Sequence, residues 1–181
     1  MSAYQIAAAA TMTVMVAIAV YTDVRVGKIF NLLTGPCILL GLALNAAWGG
    51  LDGVGLSIEG IGLGLGIFIA SSLFFGRLLG GGDIKLLMAI GAIQGPTFLL
   101  WTSIYMAISG GILAVIVSGF RHDFIPSLKR LWASIVLRVF AQVKVDVSDA
   151  SSTARLPYAI PIALGSLAAL WVLQLQALYL G

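Results

Sequence analysis

Cysteine and histidine occur once each in this chain, and charge is scarce, with Asp, Glu, Lys and Arg together making 9% of the residues. A lone Cys37 excludes an internal disulfide and a tetracysteine zinc site. A lone His122 excludes a histidine metal cluster, so no metal is expected. A soluble domain carries about 25% charged and 45–50% apolar residues. Here 60% are hydrophobic over 181 residues, leaving too little polar surface to coat a water-soluble fold. The fold class this implies is all-α, a polytopic membrane helical bundle in one domain, 1–181. The excess of ten Lys and Arg over seven Asp and Glu reads as the positive-inside bias of a membrane protein, with no nucleic-acid partner.

Apolar windows fall at 4–21, 32–49, 57–76, 84–95, 97–119 and 157–180. Most have the roughly 20 residues that cross about 30 Å of hydrocarbon. The fourth is short and ends in "QGP" at 94–96. The N-terminal run lacks a basic n-region and outruns a typical signal-peptide core, which makes it a retained first span.

Charge placement settles the count. With six spans, the loops 22–31, 77–85 and 120–156 share one side and hold all ten Lys and Arg. The opposite side receives "GLDGVGLSIEG" at 50–60, with Asp52 and Glu59 and no base. A re-entrant fourth segment would move six bases of 120–156 across, against the cytoplasmic bias. Six spans are therefore expected in the cell (inner, cytoplasmic) membrane, with both termini outside the cytoplasm.

Within 120–156, "FIPSLKRLWASIVLRVF" spaces Phe124, Leu128, Leu131, Trp132, Ile135 and Val139 by three and four, with Lys129, Arg130 and Arg138 between. This pattern predicts an amphipathic interfacial helix between spans five and six, over about 121–140. Its cations would meet anionic lipid headgroups. No internal repeat is evident.

Two acids stand out. Asp23 follows span one and Asp83 opens span four, which puts both on the cytoplasmic side. A carboxylate facing lipid is costly, so a polar cavity or a partner must receive each. Two carboxyls within hydrogen-bond reach do not both ionise cheaply; one keeps its proton. The ionised one takes a proton from an attacking water, and the protonated one polarises an amide carbonyl. This is aspartic-peptidase chemistry, and it needs no cofactor. "GGG" at 80–82 supplies backbone free of Cβ clashes, able to take positive φ or admit an extended strand. Its plainer use is close helix packing.

Three stretches together, "DVRVGKIFN" at 23–31, "GGGDIKLL" at 80–87 and "LPYAIPIALG" at 156–165, resemble the prepilin peptidases. These type IV leader peptidases are relatives of the archaeal preflagellin and presenilin-like GxGD proteases. The resemblance covers nearly the whole chain in the same order. It implies a multi-pass membrane endopeptidase that removes the leader of a pilin precursor at the cytoplasmic face. By position, the catalytic aspartates are Asp23 and Asp83, and Gly80 and Gly82 are the motif glycines. Phe30 stands where the family often has Pro. Only ten residues separate the first two spans, with no CxxC pairs, which is similar to the short form of Flp (tight-adherence) pilus systems, and no methyltransferase activity is expected.

Other residues have two readings. Lys85 is an interface-anchoring lysine, or it tunes Asp83 or meets the leader backbone. Asn31, which ends the "KIFN" stretch, is a candidate contact to substrate or a group that tunes the acids. Arg25 and Lys28 are positive-inside markers. Pro157 and Pro161 shape the entry of span six, which is also a candidate wall of the cavity. The competing functions are an ion- or proton-coupled transporter component using the same acids, and a pilus-assembly platform that cuts nothing.

Overall fold

The computed structural model describes residues 2–75, 80–120 and 158–179. Every element among them is an α-helix: α1 (Ala3–Val26), α2 (Asn31–Phe75), α3 (Gly81–Gln94), α4 (Pro96–Phe120) and α5 (Ala159–Tyr179). Three described helices are long and apolar enough to cross a membrane, over Ala3–Val26, Asn31–Leu73 and Pro96–Ile116. Large apolar side chains such as Leu32, Leu39, Leu51 and Trp171 lie on the outside of the bundle. Such a surface is a liability in water and suits lipid.

α1 begins with a capping box. Ser2 Oγ accepts from the Gln5 N–H, and Gln5 Oε1 accepts from the Ser2 N–H at 2.9 Å, which satisfies two of the orphan donors at a helix start. The helix stops at Gly27, which takes the left-handed conformation (φ 69°) and donates its N–H to Asp23 O at 2.8 Å. That stop puts Asp23 in the last turn.

α2 is 45 residues long and would run about 67 Å if straight. It is not straight. Gly50 has φ 58° and ψ −136°, outside helical space. Asn45 Nδ2 donates to Ser57 Oγ at 2.7 Å, whereas residues twelve apart on a straight helix are about 18 Å apart. The chain therefore doubles back at one glycine into a first arm, 31–49, and a second arm, 51–75. The stretch 50–60, expected as a loop between spans, is helical from Leu51 onward. A helix satisfies its own backbone N–H and C=O groups, and it runs on through Asp52 and Glu59. Both acids remain exposed on the second arm.

The short α3 is the centre of the bundle. Leu86, Leu87, Ala89, Ile90, Ala92 and Ile93 are fully buried, and α1, α2, α4 and α5 all pack against it. A helix apolar on every side is buried on every side. The second arm of α2 crosses it at Gly60 and Gly91. A Cβ on Gly60 would fall 2.1 Å from Gly91 O, and one on Gly91 would fall 2.3 Å from Gly60 O. Only glycine at both positions allows that backbone approach.

α3 ends inside the protein, so its last carbonyls need donors. Gly95 N–H serves Gly91 O at 2.8 Å. Asn45 Nδ2 serves Ala92 O at 2.9 Å and Ile93 O at 3.4 Å, and Ser57 Oγ reaches Ala92 O at 2.8 Å. Tyr4 from α1 donates its hydroxyl to Asn45 Oδ1. Three polar side chains from α1 and both arms of α2 thus close the carbonyl end of α3.

The interfacial helix expected at 121–140, with its lipid contacts, lies outside the described residues. Arg77 and Pro157 do as well.

Candidate functional site

Asp23 and Asp83 come from helices that are remote in sequence, yet they stand at the same corner. The Asp23 carboxylate is close enough for its charge to act on Asp83. Asp83 is buried, 8% exposed, in the first turn of α3. Asp23 is half-buried in the last turn of α1. Among the described residues, each carboxylate accepts from a backbone N–H. Gly80 N–H donates to Asp83 Oδ2 at 2.9 Å, and Ala159 N–H donates to Asp23 Oδ2 at 3.2 Å. Both donors sit where a helix begins, where free N–H groups favour a carboxylate.

The glycine run divides into positions with different reasons. Gly80 has φ −73°, and none of the three is among the positive-φ glycines, which are Gly27, Gly50 and Gly95 in the described residues. The expected use of positive φ at 80–82 is therefore not what the chain does with them. Close approach is the reason instead. A Cβ on Gly80 would lie 3.1 Å from Asp83 Oδ2, crowding the carboxylate against the N–H it accepts from. A Cβ on Gly82 would lie 3.0 Å from Ile29 Cβ, where the segment leaving α1 packs on α3. A Cβ on Gly81 would meet nothing within 4 Å.

Lys85 and Asn31 also meet. Lys85 Nζ donates to Asn31 Oδ1 at 2.7 Å on the exposed side of the same corner. The bond ties the first turn of α3 to the first residue of α2, two residues beyond Ile29. The Gly27–Asn31 connection is thus held on α3 from two sides, by Ile29 against Gly82 and by Asn31 on Lys85. Arg25 stacks over the Tyr21 ring, 5.2 Å from its centroid, rather than reaching an aspartate. Among the described residues, neither aspartate has a cation as partner.

Two participants were missed in the sequence: the Ala159 N–H and, beside it, Tyr158. Tyr158 is half-buried, packs on the apolar core, and lies within electrostatic range of Asp83. The stretch "LPYAIPIALG" carried part of the family resemblance, and only its prolines were given a use of their own. The signal in it was the one hydroxyl-bearing side chain at the entry to the last helix.

The arrangement is two carboxyls, each on a backbone N–H and without a cation partner among the described residues, at the ends of two helices, with a phenol near one of them. No curated protein and no solved structure matches the chain. The family model of the type IV leader peptidases matches residues 10–115. That match covers more than half of the chain and includes both aspartates and the "GGGDIK" run, and the chain belongs to the type IV leader peptidase family.

Proposed function

We propose that this chain is a membrane-embedded aspartic endopeptidase that cuts the leader from type IV, Flp-like prepilins at the cytoplasmic face, with Asp23 and Asp83 as the groups that activate water. The observation that carries the proposal is that these two carboxyls, one from α1 and one from α3, lie near enough for the charge of one to act on the other, with no cation partner among the described residues. Family membership supplies the reaction class, and the pair supplies a means.

In the proposed reaction one carboxyl is ionised and the other protonated, since two like charges at close range share a proton. The ionised group takes a proton from water as the water oxygen bonds to the scissile carbonyl carbon. The protonated group polarises the carbonyl oxygen. As the C–N bond breaks, the amine leaves with a proton returned from the pair. The backbone donors of Gly80 and Ala159 hold the carboxyls in place, and Lys85 with Asn31 fixes the Gly27–Asn31 segment, which follows the Asp23 helix, onto the Asp83 helix.

The proposal extends to topology. Each arm of α2 has about the length that crosses a bilayer, which supports six spans, with the acids on the cytoplasmic side and both termini outside. The short connection between α1 and α2, with no CxxC pair in it, supports peptidase activity without methyl transfer.

Purified protein in lipid nanodiscs, incubated with a Flp-type prepilin, is expected to release the leader. Asp23→Asn and Asp83→Asn are each expected to abolish release while leaving the helical melting transition in place. Normal processing by either variant overturns the assignment.

A further inference from the structure

The site built from two carboxyls leaves one proton-bearing group unused. Tyr158 is the turn residue before α5, half-buried, with its phenol close enough to Asp83 to feel that charge. Its neighbour Ala159 gives its N–H to Asp23. One dipeptide therefore faces both acids. It lies beyond residue 115, where the family match ends.

Three other donor groups at this corner already serve an acceptor. Gly80 N–H is on Asp83, Thr22 Oγ1 donates to Ala19 O at 3.0 Å, and Lys85 Nζ is on Asn31. The Tyr158 hydroxyl makes no hydrogen bond among the described residues. A phenol keeps its proton at neutral pH, so it is a lasting donor beside a pair whose single proton is in use.

Peptide hydrolysis places negative charge on the carbonyl oxygen as the carbon becomes tetrahedral, and a fixed donor at that oxygen is among the strongest contributions a site makes. Building on the peptidase reading above, we propose that Tyr158 donates its phenolic O–H to the scissile carbonyl oxygen in the tetrahedral state. The water oxygen bonds to the carbonyl carbon and the carbonyl π pair moves onto the oxygen. A water proton passes to the ionised carboxylate. The phenol keeps its own proton throughout, as a hydrogen bond. The role is distinct from that of the Ala159 N–H, which is spent on Asp23.

The test is Tyr158→Phe in nanodiscs with prepilin. We expect kcat to fall roughly 100-fold with KM within twofold. We also expect affinity for a peptide carrying a hydroxyethylene isostere at the scissile bond to fall by a similar factor, because that hydroxyl stands in for the tetrahedral oxygen. A purely structural tyrosine would change the melting transition or KM and leave the isostere preference alone. Wild-type cleavage with an unchanged kcat in Tyr158→Phe overturns this proposal and leaves the peptidase reading standing. A fall in kcat without loss of isostere affinity also overturns it. No cleavage by the wild type removes both. Should the Phe variant not fold, a ring-fluorinated, more acidic tyrosine at 158 is the second arm. It is expected to move the alkaline limb of kcat to lower pH, and an unmoved limb overturns the proposal.

Discussion

Asn31 at the start of α2 and Lys85 in the first turn of α3, 54 residues apart in sequence, are joined by a 2.7 Å hydrogen bond from Nζ to Oδ1. The bond is anchored on α3 two residues after Asp83. It also tightens the short connection from Gly27, which Ile29 already presses onto Gly82. Asn31→Leu and Lys85→Met are each expected to slow leader release about three- to tenfold, in line with a hydrogen bond to a charged group partly screened by solvent. The double variant is expected to be no slower than the worse single, because the two residues act through one contact. Additive losses in the cycle would show that they act separately.

The glycine run is expected to respond unevenly. Gly80→Ala puts a methyl 3.1 Å from Asp83 Oδ2, and it should reduce activity more than tenfold with little change in melting, since a misplaced reacting group is costly in rate. Gly81→Ala meets open space and, at a helical position, should keep activity within twofold. Equal effects at both positions would contradict the crowding argument. Cleavage rates with a circular-dichroism melt for each variant are sufficient.

Asn45 is the principal donor at the carbonyl end of α3, on both Ala92 O and Ile93 O. Asn45→Leu leaves those acceptors buried with fewer partners and should cost about 1–3 kcal/mol, read as a lower melting temperature in detergent. Ser57→Ala should cost less, because Asn45 still reaches Ala92 O. A Ser57 effect that equals or exceeds the Asn45 effect would reverse the order assigned here.

The crossing of Gly60 and Gly91 leaves no room for a side chain. Gly91→Val should prevent α3 from docking on the second arm, because a Cβ there would meet Gly60 O at 2.3 Å. Gly35→Ala, with nothing within 4 Å of its Cβ, is the matched control. The expected readout is loss of the folded protein's peak on size exclusion for the first and normal elution for the second.

Much of this was legible in the sequence, for identifiable reasons. Helices follow from apolar runs too long for strands, and the short fourth segment expected at 84–95 is α3, Gly81–Gln94. Asp23 and Asp83 fall at helix ends, as the edges of those runs require. The reversal between 32–49 and 57–76 was legible, but not that Gly50 alone would make it. "GLDGVGLSIEG" has the glycines and acids of a loop, yet it is helical from Leu51. The Ala159 N–H on Asp23 was invisible because a backbone donor has no sequence signature. Asn45 and Ser57, isolated polar residues in apolar runs, carried a readable hint of a buried network. What they would cap depended on knowing that α3 stops short inside the bundle.

The length of α3 has a consequence of its own. Fourteen residues rise about 21 Å, against a hydrocarbon slab about 30 Å thick. Fastened at its floor by Asn45 and Ser57, such a rod cannot touch both faces of a bilayer. It works as a fixed post, and its acidic tip keeps a set height above that floor. Lipids with shorter tails would bring the bilayer surfaces nearer the ends of the post, so acyl-chain length is expected to govern how readily the proposed substrate reaches the acids.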